Sequence, residues 1–174
     1  CGFTIQGGTG TFISAPGEYR SAMSGGGIYM SGGKITDNAI TNNHVRFTWN
    51  ASGGGINVIE SDHNVVIRNN KIYQNSNYSD TIYTKGAGIN ICSVDWSGLV
   101  ENNLIHNNYG YTESQYKSMG GGLGISRWSS CTGQAIIRNN KIYKNTLEGD
   151  SITCGGGIMG SYHYDGASAD LHPI

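Results

Sequence analysis

The sequence predicts an all-β chain wound as a right-handed parallel β-helix, a solenoid of about five coils. Three observations predict it. A glycine triplet followed by an aliphatic residue returns at Gly25-Gly26-Gly27-Ile28, Gly53-Gly54-Gly55-Ile56, Gly86-Ala87-Gly88-Ile89, Gly120-Gly121-Gly122-Leu123 and Gly155-Gly156-Gly157-Ile158. A second segment recurs between them: Ile67-Arg68-Asn69-Asn70-Lys71-Ile72-Tyr73-Gln74-Asn75 is nearly repeated from Ile137 to Asn145, with weaker copies starting at Ile35 and Val100. No stretch has the apolar spacing, caps and length of an amphipathic helix.

Each element follows from these repeats. Aligned on the Asn pairs, Ile35, Ile67, Val100 and Ile137 share one column, and Ile40, Ile72, Ile105 and Ile142 share another. After the glycines come two more columns, Ile28, Ile56, Ile89, Leu123, Ile158 and Met30, Val58, Ile91, Ile125. Alternate residues on one face are strand spacing. Strands this short cannot bury themselves alone, so each coil must stack on the next, roughly 4.8 Å away.

Asn38, Asn70, Asn103 and Asn140 form one ladder, and Asn43, Asn75, Asn108 and Asn145 another. Asn tolerates the left-handed backbone of a sharp corner, and stacked amides bond to the copies above and below. The functional alternative is a groove lined by the eight amides. The glycines supply positive φ and close backbone approach. They are not phosphate loops, because no Lys-Ser/Thr or strand-to-helix context follows.

The chain reads as one domain over 1–174: a partial first coil (1–24), regular coils (25–160) and a C-terminal tail (161–174). Charged residues are 13% and formal net charge is -1, which gives no electrostatic case for nucleic acid or an anionic membrane. No apolar run is long enough to span a bilayer. The uncharged, tyrosine-rich composition points to an extracellular or cell-surface location. The chain opens at Cys1 without an initiator Met, inside what looks like a coil, and reads as an excerpted or processed protein.

Four cysteines at irregular spacing, with no CxxC and scattered histidines, do not make a metal site. Counted back from Asn103 and Asn140, Cys92 and Cys131 fall on corresponding edges of adjacent coils and are the expected disulfide, which implies an oxidising compartment. Cys1 and Cys154 are about four coils apart, too far to bond, and are expected free or paired outside the chain.

Gly2-Phe3-Thr4-Ile5, Gly25-Gly26-Gly27-Ile28-Tyr29 and Ile67-Arg68-Asn69-Asn70-Lys71-Ile72 are similar to repeats of the right-handed parallel β-helix superfamily, which resembles pectate lyases in fold. The resemblance is nearest to the bacterial surface and adhesin-type repeat proteins and covers residues 2 to about 160. It implies a secreted or surface protein, or a polysaccharide lyase or glycoside hydrolase, since one fold hosts many functions.

The enzymatic alternative rests on Asp62 and Asp95, eight residues before their Asn pairs, with His63 beside Asp62 and with Glu60 and Arg127 near. Carboxylates on neighbouring coils raise each other's pKa or share a cation, so Ca²⁺ enters only under this alternative. The bland alternative for the acidic pair is a solvated turn. Arg68, Arg138, Lys71 and Lys141 read as isolated surface charges.

The main reading is structural or adhesive, with no catalytic residue and no cofactor. Two sets of variable loops carry aromatics: Trp49, Tyr78, Tyr83, Tyr109, Tyr111 and Tyr116 on one edge, Trp96 and Trp128 on the other. Exposed rings stack on pyranose faces; the bland alternative has them covering the core. The expected partners are glycans or copies of the chain itself, stacked head to tail into fibres. Asn50-Ala51-Ser52 and Asn77-Tyr78-Ser79 match the N-glycosylation sequon.

Overall fold

The structure, a computed structural model, describes residues 2–14, 22–59, 64–93, 98–113, 118–128, 135–150 and 153–163. Every element among them is a strand. The first coil holds β1 (Thr4–Ile5), β2 (Thr11–Ile13), β3 (Ala22–Ser24) and β4 (Ile28–Met30). The second holds β5 (Gly33–Thr36), β6 (Ala39–Thr41), β7 (His44–Phe47), β8 (Asn50–Ser52) and β9 (Ile56–Ile59). The third repeats it as β10 (Val65–Arg68), β11 (Lys71–Tyr73), β12 (Ser76–Ser79), β13 (Tyr83–Lys85) and β14 (Ile89–Ser93). The fourth is β15 (Gly98–Glu101), β16 (Leu104–His106), β17 (Tyr109–Thr112), β18 (Ser118–Met119) and β19 (Leu123–Trp128). The last is β20 (Ala135–Arg138), β21 (Lys141–Tyr143), β22 (Thr146–Gly149), β23 (Thr153–Cys154) and β24 (Ile158–His163).

Equivalent strands stack into five sheets, ordered β1-β6-β11-β16-β21, β5-β10-β15-β20, β7-β12-β17-β22, β2-β3-β8-β13-β18-β23 and β4-β9-β14-β19-β24. All pairings are parallel except β2 on β3, an antiparallel hairpin. Two of the sheets hold four strands, so the solenoid makes about four turns rather than the five counted from the glycine triplets. The difference lies in the first coil, which adds strands to the sheets of β6, β8 and β9 but none to the two four-stranded sheets.

The register places the aliphatic columns in contact. Ile67 pairs with Ile35 and Val100, Ile72 with Ile40 and Ile105, and Ile89 with Ile56 and Leu123. Ile40, Ile72, Ile105, Ile56, Ile89 and Ile67 are fully buried in one continuous core. Each such side chain contributes about 1.5–3 kcal/mol of burial, which a single coil could not collect.

Three corners in each regular coil use the left-handed backbone. At two of them the residue with positive φ is the one before the ladder Asn: Asp37 (61°), Asn69 (59°), Asn102 (55°) and Asn139 (55°), then Asn42 (54°), Gln74 (55°), Asn107 (54°) and Lys144 (52°). The ladder asparagines therefore do not make the bend themselves, as the sequence reading had them do. Glycine takes the third corner, as at Gly53 (61°), where a Cβ would lie 2.3 Å from the Ile56 carbonyl oxygen. At Gly55 φ is not the constraint; a Cβ there would meet the Gly88 oxygen of the next coil at 2.6 Å.

Relieved of the bend, the ladder asparagines join the coils. Asn103 Oδ1 accepts from the backbone N–H of Asn70 (2.9 Å) and from its Nδ2 (3.1 Å). Asn103 Nδ2 donates to the Ile67 carbonyl (2.8 Å) and to Asn140 Oδ1 (3.0 Å). Asn38 extends this ladder, its N–H donating to Asn70 Oδ1 at 3.0 Å. The second ladder repeats the scheme through Asn43, Asn75, Asn108 and Asn145, with Nδ2-to-Oδ1 distances of 2.9–3.0 Å. Asn43, Asn70, Asn75, Asn103 and Asn108 are at most 2% exposed, so these amides are internal glue and do not line a groove.

Candidate functional site

Parallel stacking turns every outward-facing position into a row of side chains, one per coil. On the sheet β7-β12-β17-β22 two such rows run side by side: His44, Ser76, Tyr109, Thr146 and Arg46, Tyr78, Tyr111, Glu148. Tyr78 lies between two neighbours, with the Arg46 guanidinium 4.5 Å from its ring centroid and the Tyr111 ring stacked at 5.1 Å and 25°. Its hydroxyl donates to Glu113 Oε1. Tyr109 donates to Glu148 Oε2 at 2.9 Å, and His44 Nδ1 stands 2.7 Å from Ser76 Oγ.

Strand register continues the row of charge. Ser79, Thr112 and Gly149 pair in sequence, so the residues after them, Asp80, Glu113 and Asp150, line up on successive coils. Arg46 reaches Asp80 at 3.5 Å, an exposed pair of little energetic weight. The carboxylates act on the phenols. The hydrogen bond to Glu113, reinforced by lost hydration and by the Glu113 and Asp80 charges, pushes Tyr78 up to about 12. Loss of hydration and the Glu148 bond raise Tyr109 to about 12. Tyr111 is raised by loss of hydration, then by Asp150, Glu113 and Glu148.

A second aromatic row stands on the neighbouring sheet β6-β11-β16-β21. His106 is sandwiched between Tyr73 (5.2 Å, 6°) and Tyr143 (5.0 Å, 11°). Loss of hydration, with Lys144 adding to it, pushes the His106 pKa below its ordinary value. On β10-β15-β20, Glu101 is 7% exposed and sits between Arg138, whose Nε donates to Oε2 at 2.8 Å, and Arg68, at 3.7 Å. Arg68 and Arg138 are thus joined through Glu101; a charge on the coil between them links residues the sequence reading left isolated.

The residues expected to form sites divide as follows. Tyr78, Tyr109 and Tyr111 meet on one strand face, not on loops. Trp49 lies in the turn before β8, where its carbonyl accepts from Ser79 Oγ and from Tyr83 N–H. Tyr83 begins β13, its ring 5.4 Å from Lys85 Nζ. Asp62, His63, Asp95, Trp96, Tyr116 and Cys131 lie outside the described residues, as do Cys1 and Glu60, and of Arg127 and Trp128 only the strand is described. Cys92 and Cys154 are free thiols. The register sets Cys92 opposite Ile59 and Ser126, and Cys131, its expected disulfide partner, is not among the described residues. Asn77 of the second sequon is 1% exposed, and its Nδ2 donates to the Ala51 and Lys85 carbonyls, so the folded chain offers no amide there for a sugar.

The row Asp80, Glu113, Asp150 escaped the sequence reading although the signal was present: each lies the same distance past Asn70, Asn103 and Asn140. Among the described residues no three His, Cys, Asp or Glu are grouped to hold a metal ion, and no helix is long and apolar enough to cross a membrane.

A family model described as a right-handed β-helix region matches residues 1–164. The chain belongs to the right-handed β-helix family. No curated protein and no solved structure matches it. The right-handed β-helix is shared by pectate lyases, adhesins and other proteins, so membership accounts for the rows of side chains and leaves their use to local chemistry. In this β-helix the two faces of the Tyr78 ring are taken by Arg46 and Tyr111. What the face turns outward is ring edges, phenol oxygens and carboxylates, a surface suited to hydrogen bonding.

Proposed function

We propose that this β-helix is a rigid structural or adhesive segment of a secreted or cell-surface protein, presenting its tyrosine-bearing face to glycans. The supporting observation is that outward side chains from successive coils hold one another, in the rows Arg46–Tyr78–Tyr111, Tyr73–His106–Tyr143 and Arg68–Glu101–Arg138. Side chains already fixed lose little entropy when a partner docks, so weak polar contacts repeated along a rod add up. Sugar hydroxyls would meet Ser76, Tyr109, Glu113 and Glu148 by hydrogen bonding. Display is favoured over head-to-tail fibres because β2 occupies, antiparallel, a sheet edge that a stacked neighbour would need in parallel register.

Glycan-array binding of the purified chain tests this reading. Binding without turnover, lost on Tyr109→Ala or Glu148→Ala, is the expected result. Release of reducing ends or unsaturated sugars from any bound polysaccharide would replace it with a carbohydrate-active enzyme. Filaments of regular axial repeat under the electron microscope would replace it with self-assembly.

A further inference from the structure

The tyrosines of β12 and β17 have a geometry that goes beyond ligand display. Tyr78 and Tyr111 are register partners on adjacent coils, half-buried, with rings stacked at 5.1 Å. The Tyr78 hydroxyl already donates to a carboxylate, Glu113. A phenol bonded to a base gives up an electron and its proton together, the proton passing along the existing hydrogen bond. We propose that Tyr78 and Tyr111 form an oxidative coupling site, at which a peroxide acting through a haem peroxidase joins the two rings into a dityrosine that staples two consecutive coils.

The step balances as follows. Each phenol loses one electron to the peroxidase and one proton, that of Tyr78 to Glu113, giving two phenoxyl radicals. A carbon–carbon bond forms between the ring carbons ortho to the two oxygens. The protons on those carbons then move to the oxygens and restore both aromatic rings. The two electrons and two protons released reduce one hydrogen peroxide to two waters.

Turning each ring about its Cβ–Cγ bond from face to edge sets the ortho carbons opposite one another, since parallel register keeps the two Cβ atoms one coil rise apart, roughly 4.8 Å. The other tyrosine row lacks this option. Tyr73 and Tyr143 are two coils apart with His106 stacked between them, so the ring that each of them stacks on is a histidine and not a tyrosine.

The test is oxidation of the dilute, purified chain with a haem peroxidase and hydrogen peroxide. Dityrosine fluorescence is then read in the monomer fraction, and the linkage between tryptic peptides 72–85 and 86–117, which hold three tyrosines each, is placed on single residues by fragmentation in a mass spectrometer. The expected result is a bond between Tyr78 and Tyr111 within one molecule, with a raised unfolding midpoint. Monomer fluorescence is lost in both Tyr78→Phe and Tyr111→Phe and unchanged in Tyr73→Phe, while Glu113→Gln slows its appearance. Mapping the bond on the unsubstituted chain keeps the test decisive should a variant misfold. Coupling at any other tyrosine pair, coupling only between molecules, or fluorescence that survives either Phe substitution overturns the proposal.

Discussion

At the corner between β10 and β11 two asparagines stand side by side and do different work. Asn69 holds a left-handed backbone at 59°, while Asn70 keeps an ordinary one and turns its amide inward to the next coil. The same division occurs at Asn102 and Asn103, and it separates the costs of losing each. Asn103→Ala removes two acceptor bonds and two donor bonds. It strands the Asn70 N–H in the interior, at about 1–3 kcal/mol for a buried group left unpaired, and takes from the Ile67 carbonyl the amide bond it accepts beside the strand ladder. Asn102→Ala keeps every one of those bonds and costs about 1–2 kcal/mol through the left-handed backbone alone. Denaturant unfolding of the two variants should therefore rank Asn103→Ala clearly below Asn102→Ala. Equal losses would mean the amide ladder adds nothing beyond the bend. Both residues were legible as corner asparagines; which of the pair bends and which bonds was not, because identical side chains differ here only in φ.

Between strands the unit of organisation is the outward row. Its members come from consecutive coils, and its chemistry is that of neighbours one coil rise apart. The row Tyr73–His106–Tyr143 has a pH consequence. His106 has its pKa lowered by loss of hydration in the stack, with Lys144 adding to the effect, so the neutral ring is the form the fold prefers. As pH falls, the unfolded chain takes up this proton first. The stabilisation is complete above the unfolded value of about 6.5 and is lost as pH falls from there through the folded value. Unfolding midpoints measured on either side of that value should drop on the acid side, and His106→Phe, which keeps the stack, should reduce the drop. An unchanged drop would assign the acid sensitivity to other groups.

Rows of this kind were partly legible. Asp80, Glu113 and Asp150 follow the Asn anchors at constant distance, and Arg68, Glu101 and Arg138 immediately precede them. Counting works there because no loop intervenes. Counting backward from the anchors to Cys92 and Cys131 instead crosses stretches of unequal length, and Cys131 lies outside the described residues. The register read forward from the glycines pairs Cys92 with Ser126.

Taken whole, the molecule is close to one-dimensional: each coil contacts mainly the coil before and the coil after. Its stability is then approximately a sum of coil and interface contributions. Removing residues 71–103, one full step of the register from Lys71 to Leu104, should leave a shorter β-helix with Asn70 in the place of Asn103 and β6 paired to β16. Circular dichroism is expected to keep the all-strand spectrum, with a cooperative transition at a lower midpoint. A chain that fails to fold would show that the coils are not interchangeable.

The sequence by itself determined the solenoid, its core columns, its corner positions and the two Asn ladders' membership. These depend on a residue's phase within the repeat, and phase is preserved wherever neighbouring coils differ by no insertion. Only the tertiary structure decided which corner residue takes positive φ, that the first coil closes one sheet with an antiparallel hairpin, and that Tyr78 is enclosed between Arg46 and Tyr111 with its hydroxyl on Glu113. Those outcomes depend on side-chain direction and on contacts between residues about one coil apart in sequence. The period places such residues in the same row, and packing alone settles how they touch.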